Sequence, residues 1–282
     1  MKVAVFGAGT MGSGIAQVFA AKGHTVYLYA SSPASAQTHK EKLEASLAKR
    51  VAKGKMTQEA VEELLKRILI EEEAACADAD VMIECIKEDL EMKRSLFSRL
   101  EKMAKPEAIL ATNTSSLSLA EIAAGMEEPS RLVGIHFFNP VPAMKLVEIV
   151  RTRMVQPEIV SRAKEIVESL GKTTIMAPDS PGFVVNYLQY PFRLNAMRML
   201  ENGVATAEDI DTAAKLGLGH PMGPLELQDM VGLDVTYYAT SSIYERTGDP
   251  AMKPPKILKD MVEAGLLGRK TGRGFYNYSE KK

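Results

Sequence analysis

Six residues near the start of the chain constrain it more than any others: Gly7-Ala8-Gly9-Thr10-Met11-Gly12. They follow the apolar run Val3-Ala4-Val5-Phe6 and precede residues 13–22, where apolar side chains recur at helical spacing. Three glycines so spaced between a strand and a helix permit a tight turn, close approach of backbone to a pyrophosphate, and close packing of helix on strand. The helix N-terminus adds unpaired N–H groups and the positive end of its dipole, both suited to phosphate. A βαβ unit that binds a dinucleotide through residues 7–12 is the expectation.

The same alternation continues along the chain. Strand-like runs at 24–29, 81–86, 108–111 and 132–138 are separated by helix-periodic segments, including 90–103 and 119–125. This pattern predicts a doubly wound, mostly parallel sheet, whose ligands bind at the carboxyl ends of the strands. Ala30, Glu88, Ser115 and His136 fall at or just beyond those ends, with Gly7. A strand-end Asp or Glu usually grips the adenosine ribose of NAD. Here Ala30 holds that place, followed by Ser31 and Ser32, which leaves both NAD and NADP open.

Residues 38–72 are charged, helix-periodic and broken at Gly54, which predicts a helical hairpin inserted into the sheet domain. From Thr38 to Met56 there are six basic residues (Lys40, Lys42, Lys49, Arg50, Lys53, Lys55) against two acidic ones (Glu41, Glu44), a local excess of +4. Such a run is either a solvated helix face or a clamp for an anionic substrate.

Residues 136–150, HFFNPVPAMKLVEIV, carry one of only four histidines. Pro142 is the midpoint between His136 and Glu148, so an antiparallel return about the prolines sets imidazole and carboxylate opposite each other. A carboxylate in that place fixes the imidazole tautomer and strengthens it as a base. A buried hairpin with a satisfied histidine and a rim glutamate is the alternative, and the position at a strand end facing the dinucleotide loop favours chemistry.

After one more helix at 157–171, Pro178-Asp179-Ser180-Pro181-Gly182 marks a domain boundary. Beyond it no strand pattern of any length occurs; residues 183–200, 207–216, 224–247 and 256–264 read as helices. The expected organisation is a dinucleotide-binding domain at 1–181, with the hairpin at about 38–72, and an all-α substrate and dimerisation domain at 182–282. Asn186 lies in the first turn of the first of these helices, His220 reads as a turn residue, and a glycine-rich tail carries Arg269, Lys270 and Arg273. With a formal charge of −1, nothing global steers the chain to nucleic acid or an anionic membrane. Two cysteines, Cys76 and Cys85, form neither a disulfide scaffold nor a metal-ligand spacing, so no metal is expected. No signal peptide or membrane span is visible, and a cytoplasmic protein is the expectation.

The motifs GAGTMG, NTSSLS, HFFNPVPAMKLVEIV, PGFVVN, HPMGPLEL and GRKTGRGFY occur together in this order. In that, the chain resembles the short-chain L-3-hydroxyacyl-CoA dehydrogenases over nearly its whole length, most of all the bacterial 3-hydroxybutyryl-CoA dehydrogenases. The resemblance implies a Rossmann-like domain followed by a helical one, a homodimer formed through the latter, and a place in butyrate and fatty-acid metabolism. It implies NAD as cofactor, NADP being possible, and a short-chain acyl-CoA substrate. By the same resemblance His136 is the catalytic base and Glu148 its orienting carboxylate, while Ser115 and Asn186 hold the substrate oxygen. Glu88, Lys93, Ser115, Asn139 and Lys270 match cofactor-contacting positions, and Ser46 and Lys53 match positions that meet coenzyme A. Three residues depart from the family pattern. Ala30 replaces the ribose-binding Asp, Tyr187 follows Asn186 where arginine is common, and Lys87 stands at a usually apolar place. A dehydrogenase of a small free hydroxy acid and a non-catalytic NAD-binding protein are the alternatives. The basic hairpin speaks against the first, and the complete set Ser115, His136, Glu148 and Asn186 against the second.

Overall fold

The structure, a computed structural model, describes residues 1–279; positions 280–282 of the expected second domain lie outside these. It divides into two compact units, one ending at Ser180 and the other beginning at Pro181.

The first unit is built on eight strands: β1 Lys2–Phe6, β2 Thr25–Tyr29, β3 Ile68–Ile70, β4 Val81–Glu84, β5 Ile109–Thr112, β6 Leu132–Phe137, β7 Leu146–Arg151 and β8 Thr173–Pro178. They form one sheet in the order β3-β2-β1-β4-β5-β6-β7-β8, in which only the β6–β7 pair is antiparallel. The chain leaves β1 toward both edges, the doubly wound Rossmann-like arrangement in which a crevice opens beyond the strand ends. Alternation within β1 shows how both faces are covered. Val3 and Val5 join one buried cluster with Ile15, Phe19, Leu47 and Val167, whereas Ala4 and Phe6 join another with Met82, Phe97, Leu100 and Ile122. A sheet covered on both faces needs strands apolar throughout, and β4 and β5 are buried at every position.

The helices of this unit are α1 Thr10–Ala21, α2 Pro33–Ala52, α3 Gln58–Lys66, α4 Leu90–Met103, α5 Leu119–Ala123 and α6 Pro157–Ser169. Their starts are set by side-chain caps: the oxygens of Ser32, Thr57, Asp89 and Ser118 accept the backbone N–H three residues on. The expected hairpin at 38–72 needs correction. Its helices are α2 and α3, divided near Gly54 at φ +65°, but they begin at Pro33, and Ile68–Ile70 is not helical. Those three residues are β3, paired with β2 at the sheet edge. Three residues directly after a helix are too few to show a period of two. The sequence pattern also missed β8, whose run ends in proline and is half exposed.

The second unit contains α7 Val185–Glu201, α8 Ala207–Thr212, α9 Pro224–Val231, α10 Leu233–Thr247 and α11 Lys256–Glu263. The expected single helix at 224–247 is two, because Gly232 at φ +106° interrupts it. Among its described residues there is no strand, only isolated bridges at Gly268, Arg273 and Asn277. Leu194, Met197, Leu225, Leu233 and Leu258 form its small core. Among the described residues of both units, no helix is long and apolar enough to cross a membrane.

Candidate active site

The reversal between β6 and β7 pairs His136 with Glu148 directly across the strands. Nδ1 of His136 lies 2.7 Å from Oε2 of Glu148, and the two residues are 6% and 0% exposed. In the neutral ring Nδ1–H donates to the carboxylate, which puts the basic lone pair on Nε2. Burial keeps this bond out of competition with water. The connecting turn is closed by the amides of Ala143 and Met144, which donate to the Pro140 carbonyl, and by Lys172, whose ammonium donates to the carbonyls of Val141 (2.6 Å) and Met144 (2.7 Å).

His136 lines a cavity of about 320 Å³ together with Met11, Cys85, Glu88, Lys93, Asn113, Ser115, Phe138 and Asn139. The phosphate loop, the strand-end loops after β4 and β5, and the dyad therefore meet in one place. Polar side chains, one buried and one partly exposed, fix those loops. The Asn113 side-chain oxygen accepts from the Phe137 amide at 2.9 Å, tying the ends of β5 and β6 together. One oxygen of Glu88 accepts from the Thr114 hydroxyl, from the amides of Ser115 (3.1 Å) and Ser116 (3.2 Å), and from the Ser116 hydroxyl (2.9 Å). Glu88 thus shapes the loop that presents Ser115.

Lys93 is 1% exposed, and its ammonium pairs with Glu84 and, at 3.2 Å, with Glu88. Glu84, at 0% exposure, also accepts from the Thr112 hydroxyl and the Ile86 amide, each at 2.7 Å. Burial raises the Glu84 carboxyl above its usual range in spite of Lys93. Burial would raise Glu88 too, but the Lys93 charge and the bonds from Thr114 and Ser116 outweigh it and hold Glu88 low. Sequence reading missed Glu84, Asn113 and Lys172. Glu84 had a readable signal, a lone carboxylate inside the apolar strand VMIECI, which demands a buried partner. Burial pushes both thiols up, Cys76 to about 12, so neither cysteine is a nucleophile at neutral pH.

The glycine loop fits a pyrophosphate. Added Cβ atoms would meet the Cys85 carbonyl oxygen at 2.5 Å from Gly7, itself at φ +111°, and the Gly7 carbonyl oxygen at 1.7 Å from Gly12. The fold itself therefore demands glycine at both places. A Cβ on Gly9 would meet no protein atom within 4 Å. Packing leaves that glycine unexplained, and close approach of a ligand to its backbone explains it. Ala8, Thr10 and Met11 complete the loop, and α1 opens on Gly9 with no acidic residue in its first turn. At the end of β2, Ala30 leads to Ser31 and the Ser32 cap of α2, whose first turn also lacks an acid.

Ser46 and Lys53 line a second, larger groove of about 750 Å³. His39, Lys42, Lys49, Arg50 and Lys55 border it, together with Thr10 and residues 139–143, and among the described residues no carboxylate does. Asn139 borders both this groove and the His136 cavity. In the second unit Asn186 is 9% exposed in the first turn of α7, and its neighbour Tyr187 donates its hydroxyl to Asp249 at 2.8 Å. Lys270 donates to both Asp234 oxygens, at 2.5 and 2.6 Å. His220 lies in the irregular segment between α8 and α9, with its ring 4.8 Å from that of Phe192.

Glu88→Gln keeps the shape of the side chain but removes its charge. A carboxylate held below its unfolded value, about 4.3, contributes stability above that value and loses it as pH falls through the folded value. The native protein should therefore unfold at higher urea than the variant at pH 7, and the two midpoints should converge below about pH 4. A gap that stays constant across this range would contradict the Glu88 network.

Residues 2–180 match the family description "3-hydroxyacyl-CoA dehydrogenase, NAD binding domain", and residues 182–278 match "3-hydroxyacyl-CoA dehydrogenase, C-terminal domain". The chain is 42% identical over 281 residues to the probable 3-hydroxybutyryl-CoA dehydrogenase of Bacillus subtilis, covering 99% of this chain and 98% of that one. It is 43% identical to the mitochondrial hydroxyacyl-coenzyme A dehydrogenase of Rattus norvegicus, over 98% of this chain and 90% of the relative. The crystal structure of (S)-3-hydroxybutyryl-CoA dehydrogenase from Ralstonia eutropha matches with a TM-score of 0.95 at 38% identity, covering 99% of each chain. Both domain descriptions, in order, and relatives alike along nearly their full length lead to one assignment: the chain belongs to the 3-hydroxyacyl-CoA dehydrogenase family.

Proposed function

We propose that the protein reversibly oxidises a short-chain (3S)-3-hydroxyacyl-CoA to the 3-oxoacyl-CoA, with 3-hydroxybutyryl-CoA and acetoacetyl-CoA as the pair. The observation that carries this reading is the buried 2.7 Å contact between His136 and Glu148 at the wall of the strand-end cavity. In oxidation His136 Nε2 accepts the C3 hydroxyl proton; in reduction the imidazolium returns it to the forming alkoxide. Glu148 stabilises the imidazolium, and its seclusion from water makes that attraction stronger than it would be in solvent. Ser115 and Asn186 donate to the C3 oxygen as charge develops on it. When bound, NAD supplies the hydride acceptor. Residues 7–12 would hold its pyrophosphate, and Glu88, Lys93, Ser115 and Asn139 border its site, with Lys270 assigned by family likeness.

The basic groove supports coenzyme A over a free hydroxy acid. Five lysines and arginines with no carboxylate among them suit a multiply phosphorylated ligand, and Ser46 and Lys53 are its contacts. Acetoacetyl-CoA should be reduced with a kcat/KM at least about 100-fold above that for free acetoacetate, since binding energy from the remote coenzyme is drawn on at the reacting carbon. Comparable rates with both would favour the free-acid alternative. A chain that oxidises no NAD(P)H with any acyl-CoA would be a non-catalytic binder.

We infer NAD as the cofactor, with weak discrimination against NADP, because Ala30 neither grips the 2′-hydroxyl nor repels a 2′-phosphate. NADPH should support acetoacetyl-CoA reduction within about tenfold of NADH, and Ala30→Asp should lower NADPH use by a further tenfold or so, about 1.4 kcal/mol. An unchanged cofactor ratio in that variant would contradict the assignment of Ala30.

Exposed apolar side chains on the second unit, among them Leu188 (73%), Leu216 (84%) and Tyr238 (65%), support a homodimer through this unit. Sedimentation equilibrium should return twice the 30.8 kDa of one chain, and a monomer at micromolar concentration would refute it. Both cysteines are free thiols, which suits a reducing cytoplasm.

A further inference from the structure

Glu84 ends β4, between Phe6 of β1 and Thr112 of β5 in the strand register, with no exposure to solvent. It accepts from two residues that line the His136 cavity, through the Lys93 ammonium and the Ile86 amide, and from the Thr112 hydroxyl. Among the described residues Lys93 is its one ion-pair partner, and Lys93 also meets Glu88 at 3.2 Å. Two carboxylates thus share a single ammonium.

The donors around Glu84 fix it as an ionised carboxylate. An ammonium and an amide N–H can only donate. The Thr112 oxygen accepts from the Thr114 amide at 3.2 Å, which leaves the hydroxyl hydrogen for Glu84. Burial raises this carboxyl and the three donors oppose that rise. Glu88 is surrounded by donors in the same way and is held low. Of the other groups at the cavity, burial keeps the Cys85 thiol protonated, and the His136 imidazole is neutral with Nδ1–H on Glu148. Glu84, Lys93 and Glu88 therefore carry one negative charge in excess, and Glu148 carries another. Glu88 alone would compensate Lys93. A second carboxylate, wholly buried, is costly where an apolar β-branched residue would pack well in a strand covered on both faces. That excess suits a ligand bearing a positive charge. The oxidised nicotinamide ring is a cation and the reduced ring is neutral, whereas the adenosine and phosphates are common to both.

We propose that Glu84 sets the preference of the site between the two redox states of its cofactor: its charge leaves the Lys93–Glu88 wall net negative and so favours oxidised over reduced nicotinamide. This inference rests on the reading that the nicotinamide enters the His136 cavity.

Direct binding tests it without any turnover. Dissociation constants for NAD are measured by calorimetry and for NADH by fluorescence titration, both at pH 8, in the native protein, Glu84→Gln, Glu88→Gln and the Glu84→Gln/Lys93→Met double variant. Glu84→Gln keeps the side chain's shape and removes its charge. It should weaken NAD by about tenfold relative to NADH, the size of effect one charge exerts through a partly shielded interior. The double variant removes one charge of each sign and leaves Glu88 as the excess, so the NAD-to-NADH ratio should return to within about twofold of native even where both affinities fall. A role confined to holding Lys93 in place would weaken both forms alike and would be made worse, not reversed, by the second substitution. Should Glu84→Gln fail to fold, Glu88→Gln removes the same excess charge and should shift the ratio in the same direction. An unchanged ratio in the folded single variant, or a shift that persists in the double variant, would overturn the proposal. Failure of the native protein to bind either form would instead overturn the cofactor reading, and the proposal with it.

Discussion

The antiparallel return of β7 against β6 is the constraint on which the site depends. In a sheet otherwise parallel at every step, this is the one place where two side chains from consecutive strands face each other across a short turn. The pairing register makes His136 and Glu148 neighbours, and a slip by one residue would send one of them to the opposite face. The turn is held by Lys172, so the dyad's geometry is fixed by backbone pairing and a half-buried ammonium before any ligand contributes.

Around that dyad, charge is used to hold loops. Glu84 and Lys93 form a buried pair in which removing either partner would strand the other, a change that costs several kcal/mol in proteins generally. Lys93 passes its charge to Glu88, and Glu88 gathers the amides and hydroxyls of residues 114–116.

Much of this was legible in the residues, for a physical reason in each case. The glycine loop could be read because Gly7 and Gly12 answer to steric contacts that no side chain survives. The dyad could be read because hairpin register follows from turn position, and Pro142 at the midpoint placed 136 opposite 148. The charge excess at 38–56 was visible as well, but only tertiary packing turns Lys42, Lys49, Arg50, Lys53 and Lys55 toward one groove that reaches Asn139. β3 and β8 were not legible, since their order comes from pairing with β2 and β7 and their own patterns are weak. Neither were Glu84 or Lys172, whose meaning lies in partners distant in sequence.

The central claim is that His136 moves the proton while the glycine loop and strand ends hold the cofactor. His136→Gln separates the two in a single preparation, with acetoacetyl-CoA turnover followed by NADH absorbance and NADH affinity by fluorescence titration. Turnover should fall by about 1,000-fold, within the range general acid–base catalysis supplies, with NADH affinity within about twofold of native. Near-native turnover in that variant would contradict the assignment of His136.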